Sequence, residues 1–279
     1  MVREIDSELL SAYRARTFQT MAQDRLREVA QAVEFVDARG FVFLWPVKGV
    51  DLPSLWTAVA GDRPVESDHD DPGHVTWGWK DSMLGKKVWY YAKLLRGKAT
   101  FVSLDVIPYF YALSERVGDL DDYMLAYDEG RLTWEEKSVA DALLNHGALH
   151  TIELRRRSFL EAASAKSRFD RALTSLQRGL WVLPIGIARA GAWKYAFIYE
   201  LVDRWYPQIL DRARRIMPSD AYKTLTSLYL DSVGAIEPIK IARLFRWTID
   251  PVRQALEELE QEALALPLDD GRWATSKIG

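Results

Sequence analysis

The stretch GALHTIEL, residues 147–154, returns as GAIEPIKI, residues 234–241, with small and apolar residues at matching positions and no gap. Farther along, FDRALTSLQRGLWVLP (169–184) matches VRQALEELEQEALALP (252–267), again without a gap. Ala172, Leu173, Leu176, Leu183 and Pro184 correspond to Ala255, Leu256, Leu259, Leu266 and Pro267. A helical pattern precedes each copy, EEKSVADALLNH in the first and AYKTLTSLYLDS in the second. Each unit therefore reads helix, tight turn, helix, longer helix, strand. The first copy adds a second strand, WKYAFIY, after the turn ARAGA. Three helices closed by a β-hairpin make a winged helix, a variant of the helix-turn-helix, and two mutually similar copies support that reading. The expected fold is α+β, mainly helical, with tandem winged-helix units.

Upstream, Leu9, Leu10 and Tyr13 make a short amphipathic face, and Leu26, Val29, Ala30, Val33 and Val36 follow helical spacing. Gly40 stops that helix and FVFLW (41–45) reads as a buried strand. Pro53 stands where a further helix would begin, with Leu55, Trp56 and Val59 on its apolar side. GDRPVESDHDDPG (61–73) is a loop by composition. VWYYAKLL and ATFVSL read as strands around the turn RGK, and IPYFYALSE and DDYMLAYDEG as short helices. The expected division is an N-terminal helical, winged-helix-like unit (1–60), an inserted aromatic β-rich element with short helices (61–130), a winged helix with a basic recognition helix (131–217) and a second winged helix with an acidic face (218–279).

Nearly half of the 279 residues are hydrophobic, enough for a sizeable core. Cysteine is absent, which removes disulfides and thiolate metal sites and makes the cytoplasm the default compartment. No apolar run reaches the length of a membrane span, and MVREIDSELL lacks the apolar stretch of a signal peptide. A formal net charge of −3 argues against an overall basic coat but not against a local basic face. Asp68, His69, Asp70, Asp71 and His74 match no strong metal-ligand spacing, so a polar loop is expected rather than a metal site. His146 and His150 flank a turn and read as structural. With no Walker A loop and no dinucleotide-binding glycine pattern, no cofactor is expected.

In a helix-turn-helix the helix after the turn enters the major groove. In the first copy this is AKSRFDRALTSLQRG. Phe169, Ala172, Leu173 and Leu176 share one face; Arg168, Arg171, Ser175 and Arg178 form a stripe on another, and Lys166 adds charge at the start. Arg155, Arg156 and Arg157 sit on the preceding helix. Such a face can neutralise several phosphates, against the alternative of an ordinary solvated surface. The matching helix of the second copy carries Glu257, Glu258, Glu260 and Glu262, which duplex DNA would repel; this unit suits a scaffold or a protein contact.

HVTWGWKDSMLGKKVWYYAKLLRGK (74–98) interleaves aromatic and basic residues. Trp89 and one of Tyr90 and Tyr91 suit the core of a strand pair. Trp77 and Trp79 straddle Gly78, and with Lys80, Lys86, Lys87 and Arg96 nearby they suit either stacking and phosphate contact or core packing.

The segment Leu95 to Val102, centred on Arg96-Gly97 and followed by Asp105 and IPYFYALSE, resembles the Arg-Gly strand segment of the crosslink-repair DNA glycosylases, the AlkZ and YcaQ group. The order of FVFLWP, the RGK strand pair, GALHTIELRRR and SRFDRALTSLQR agrees with that group over most of the chain. The resemblance implies tandem winged helices and hydrolysis of N-glycosidic bonds in damaged duplex DNA. It also implies a Gln-apolar-Gln or Gln-apolar-Asp motif near the end of an early helix. The matching triplet here is Phe35-Val36-Asp37, so the acid is kept and the amide is not; Glu34 is the second candidate. Thr100 stands where the group often has a His after Arg-Gly. A carboxylate can stabilise a sugar cation or activate water, whereas a phenyl ring cannot position that water. Asp37 is therefore expected to serve only cationic, alkylated bases. The competing readings are a non-catalytic winged-helix DNA-binding protein or regulator, and a protein-interaction module that has lost DNA.

Overall fold

The structure is a computed structural model that describes residues 4–68 and 70–278, and about 52 % of it is helical. After α1 (Ser7–Thr17) come α2 (Val29–Arg39), β1 (Phe41–Phe43), α3 (Leu55–Ala60), α4 (Val75–Met83), β2 (Tyr90–Ala92) and β3 (Thr100–Val102). α5 (Ile107–Ala112) and α6 (Asp122–Asp128) lead to α7 (Trp134–His146), β4 (Leu149–His150), α8 (Thr151–Arg157), α9 (Lys166–Arg178), β5 (Val182–Ala188) and β6 (Ala196–Leu201). α10 (Val202–Trp205) and α11 (Pro207–Ala213) precede α12 (Pro218–Val233), β7 (Ala235–Ile236), α13 (Pro238–Phe245), α14 (Ile249–Gln261), β8 (Ala265–Pro267) and β9 (Trp273–Thr275).

The described strands form three antiparallel sheets of one plan. Their orders are β1-β3-β2, β4-β6-β5 and β7-β9-β8, so in each the short first strand lies against the last. Each sheet is preceded by a helix, and two further helices intervene before its hairpin.

The repeated glycines are helix stops. Gly147 ends α7 at φ 73° and Gly234 ends α12 at φ 81°, in the left-handed region that glycine enters without penalty. At Gly234 a Cβ would also lie 2.9 Å from both Leu10 and Tyr13 of α1, so the turn and the docking of α1 both require the missing side chain. Thr133 and Glu136 form a capping box that starts α7. α3 begins two residues after Pro53: Ser54 is the cap, with Thr57 as its reciprocal partner.

One expectation needs correction. Residues 61–130 are not an insertion between units. Phe41 of β1 pairs with Val102 of β3, and Phe43 with Thr100, so β2 and β3 complete the sheet that β1 begins. α6 belongs to the second unit: Tyr123 and Ala126 are buried with Val139, Leu143 and Phe169. α4 runs through Trp77-Gly78-Trp79, a segment for which the sequence alone gives no element.

The apolar faces expected on α9 and α14 are buried: Ala172, Leu173 and Leu176 in the first, Ala255, Leu256 and Leu259 in the second. One core cluster joins the first sheet to the C-terminal helices, with Phe41, Phe43 and Tyr90 packed with Leu225, Tyr229 and Leu256.

Candidate nucleic-acid interface

α9 buries Phe169 and Leu176 and turns the opposite side outward. Spacings of three and four bring Ser167, Asp170, Arg171, Thr174, Ser175 and Arg178 together with Lys166 along an open groove of about 910 Å³. Among the described residues, Lys166, Arg171 and Arg178 make no hydrogen bond or ion pair, which leaves three cationic heads for an external anion. Asp170 and Thr174 escape a search for basic residues, although helical spacing from Ser167 would have found them.

The other arginines expected here are engaged. Arg155 donates to the carbonyl oxygens of Leu160, Glu161 and Ala162 at 3.1 Å and so holds the turn ahead of α9. Arg156 and Arg157 share the Glu153 carboxylate at 2.5 and 2.7 Å, and their hydrogen bonds hold its pKa down at about 2. Arg168 lies to one side of the groove, 3.1 Å from Glu135 of α7. His150 caps α8 by accepting from the Glu153 N–H, a structural role.

The aromatic stretch divides by burial. Trp79 is core, beside Val42 and Trp89. Lys80 has no exposed side-chain surface. Its Nζ lies 4.4 Å from the Trp77 ring centre and 4.5 Å from that of Phe197, and donates to Asp81 and to the Tyr195 hydroxyl, 2.9 Å away. Burial pushes its pKa below the usual lysine value, and the bond to Asp81 partly opposes this. Trp79 and Lys80 are thus withdrawn from any nucleic-acid contact, because desolvated packing between α4 and β6 has taken them. Trp77 stays 37 % exposed, with its ring against Trp45 and Tyr195. Lys86 is exposed, and Lys87 lies 4.4 Å over Trp205. Both tyrosines of the strand, Tyr90 and Tyr91, are buried, where the sequence leads one to expect a single buried ring.

Arg96 is exposed, and its Nη1 donates to the Arg243 carbonyl oxygen at 2.9 Å. The turn that carries it packs on α9: Lys93 N–H donates to Gln177 Oε1 at 3.1 Å. Thr100 is fully buried, its hydroxyl donating to Lys98 O at 2.8 Å.

Asp37 lies on the exposed side of α2, without a hydrogen bond or ion pair among the described residues, and it lines neither the α9 groove nor the groove between α1, α2 and α12. In the free protein a carboxylate so open to water has no walls to hold a reacting sugar. Phe35 is a core residue. Glu34 does line the groove between α1, α2 and α12, of about 920 Å³, with Gln31, Arg39 and Lys277. In the loop ahead of α4, Asp71 is bonded to Arg63 at 2.6 Å and to the Gly73 N–H, and His74 to the Glu66 carbonyl at 2.9 Å, contacts that build the loop. His69 lies outside the described residues. On α14 and at its C-terminal cap the glutamates are outward, Glu258 accepting from Gln254 and the cap residue Glu262 pairing with Lys223 at 2.7 Å. Trp193, at the tip of the β5–β6 hairpin beside Lys194, is 92 % exposed. Its place in a turn-rich stretch gave no sequence signal of that exposure.

Among the described residues no helix is long and apolar enough to cross a membrane. No curated protein matches the sequence. In fold the chain is similar to the Streptomyces sahachiroi DNA glycosylase AlkZ, with a TM-score of 0.61 and 13 % sequence identity, over 99 % of this chain and 71 % of that one. The family model described as AlkZ related matches residues 26–246, most of the sequence. By that match, and in agreement with the Arg96-Gly97 segment that first suggested it, the chain belongs to the AlkZ-related family.

Proposed function

We propose that this protein is a DNA-repair-related, duplex-binding protein whose three sheet-forming units are tandem winged helices, and that α9 is the helix that meets DNA. The observation that carries the reading is the row of unpaired cationic heads, Lys166, Arg171 and Arg178, on α9, the last and longer helix before the β5–β6 hairpin of its unit. Guanidinium and ammonium groups without protein partners suit phosphate oxygens, and the first residues of such a helix are those that reach base edges. Asp170 adds an acceptor on the same face, a group that can take a cytosine amino proton. Family membership and the fold shared with a DNA glycosylase support DNA as the partner. Lys86, Trp77 and the hairpin tip at Trp193 and Lys194 add exposed contacts of suitable chemistry. The glutamate-rich α14 repels a duplex and faces away from this role.

The test is fluorescence anisotropy on a labelled duplex at several salt concentrations. Binding through phosphates weakens steeply with salt, with a slope set by the number of contacts. Binding that is absent, or unchanged by salt, contradicts the reading.

A second reading, excision of alkylated bases by N-glycosidic hydrolysis, has one observation in its favour: Glu34 lines a groove with Arg39 and Gln31, a carboxylate beside an amide and a cation. A carboxylate can stabilise the sugar cation and the amide can orient water. Release of N7-methylguanine from duplex DNA under single-turnover conditions tests it.

A further inference from the structure

Where the first-unit turn, the end of α9 and the α13–α14 connection meet, they enclose a cleft of about 370 Å³. Its cationic lining sorts into engaged and free groups. Arg116 is bonded to Asp122 at 2.9 Å and to Asp203, and lies 3.8 Å over Trp181. Arg131 is held by Glu115 at 3.2 Å and Glu129 at 2.6 Å. Arg96 is fixed to the Arg243 carbonyl. Arg178 and Arg246 remain, with no hydrogen bond or ion pair among the described residues. Burial, and then the nearby charge of Arg246, hold the Arg178 pKa below its usual value. Two like charges that line one cleft are relieved by an anion bound there.

Eight described non-glycine residues have positive φ, and three of them, Arg96 at 55°, Leu180 at 61° and Arg246 at 65°, line this one cleft. Leu180 and Arg246 close helices, as Ala263 and Phe159 do with similar φ at the corresponding positions of the other copies. The cleft has an aromatic lining beside the free guanidiniums: Phe245 and Trp247, both half-buried, with their rings stacked on each other at 4.2 Å and 14°. A bare phosphate has no use for such a lining, whereas a base does. Ser175 and Arg178 belong both to this cleft and to the α9 groove, so a strand lying on α9 is led to its mouth. The volume is that of a small-molecule pocket and far too small for a duplex.

We propose that this cleft binds one unpaired nucleotide of a DNA strand, its phosphate between Arg178 and Arg246 and its base against Phe245 and Trp247. The inference rests on the reading that the chain binds DNA, and it adds which part of a distorted duplex is held and where.

The experiment compares the full chain on a plain duplex and on the same duplex with one extrahelical nucleotide, with deoxyadenosine monophosphate as a free ligand. The parent binds the bulged duplex at least about fivefold more tightly, the low end of one base–aromatic stack. Arg246→Asn, which removes the charge yet tolerates the left-handed backbone, abolishes that preference and leaves plain-duplex affinity within about twofold. Arg246→Lys keeps the preference. Equal binding of both duplexes by the parent, or a preference that survives Arg246→Asn, overturns the cleft while leaving α9 as the duplex reader. Arg246-dependent binding of the mononucleotide without a bulge preference makes this a free-nucleotide site and overturns the strand proposal. If the parent binds no duplex, the α9 reading fails first and this one with it.

Discussion

Arg96, in the turn between β2 and β3, donates to the carbonyl oxygen of Arg243 in α13 at 2.9 Å, fastening the first unit to the third across 147 positions of sequence. The guanidinium supplies a charge-assisted bond to a carbonyl near the end of a helix, where carbonyls lack intrahelical donors. Because the bond is exposed, Arg96→Ala should lower stability by only about 1 kcal/mol. Denaturant titration measures it. The same variant should weaken the bulge preference, because Arg96 forms one side of the cleft; an unchanged preference would show that the cleft tolerates a loosened wall.

Lys80 makes the opposite prediction, a large effect on stability and a small one on DNA. Removing one member of a buried ion pair leaves the other uncompensated, so Lys80→Ala should cost about 3 kcal/mol, the low end because Asp81 is partly exposed. Duplex affinity of the folded protein should not change. Loss of affinity with unchanged stability would return Lys80 to the DNA surface.

The pH dependence of that same residue has a definite sign. Its pKa is lower in the folded than in the unfolded chain, because burial disfavours the charged head. Between the folded value and the ordinary lysine value the unfolded state holds more protons, so this contribution to stability rises with pH. The stability difference between parent and Lys80→Met, measured across the alkaline range, should grow in the parent's favour. A difference that shrinks contradicts the assignment.

For the glycosylase reading, Asp37→Asn should leave any release of N7-methylguanine unchanged, since Asp37 is exposed and lines neither groove, whereas Glu34→Gln should abolish it. Single-turnover release with excess enzyme distinguishes the two. If Asp37→Asn abolishes release instead, the reacting site forms only on DNA and the exposed side of α2 is part of it.

What the sequence shows clearly is local. Gly147 and Gly234 mark helix ends because a positive φ needs glycine, and the α9 and α14 faces follow from spacing alone. What it hides is long-range. The pairing of Phe41 with Val102 spans two helices and the strand β2, and nothing in either strand names its partner, so residues 61–130 read as an insertion. Lys80 reads as one more basic residue of an aromatic stretch, and only the rings of Tyr91 and Phe197, distant in sequence, show that its head is buried. Charge counting places Arg155, Arg156 and Arg157 on the interface. Their engagement with carbonyl oxygens and Glu153 appears only in three dimensions. The cleft at Arg178 and Arg246 joins residues of three units, each ordinary in its own segment.

The central claim is that α9 reads duplex DNA, and Arg171, exposed and unpaired at the middle of its outer face, tests it most directly. Duplex affinity is measured against salt for the parent, for Arg171→Ala, for Lys166→Glu with Arg171→Glu, and for a control with Glu257→Gln and Glu258→Gln. The account predicts a salt slope smaller by about one for Arg171→Ala, at least about tenfold weaker binding for the charge-reversed pair, and no weakening for the control. Binding by the charge-reversed pair as tight as the parent's, at every salt concentration, would contradict it.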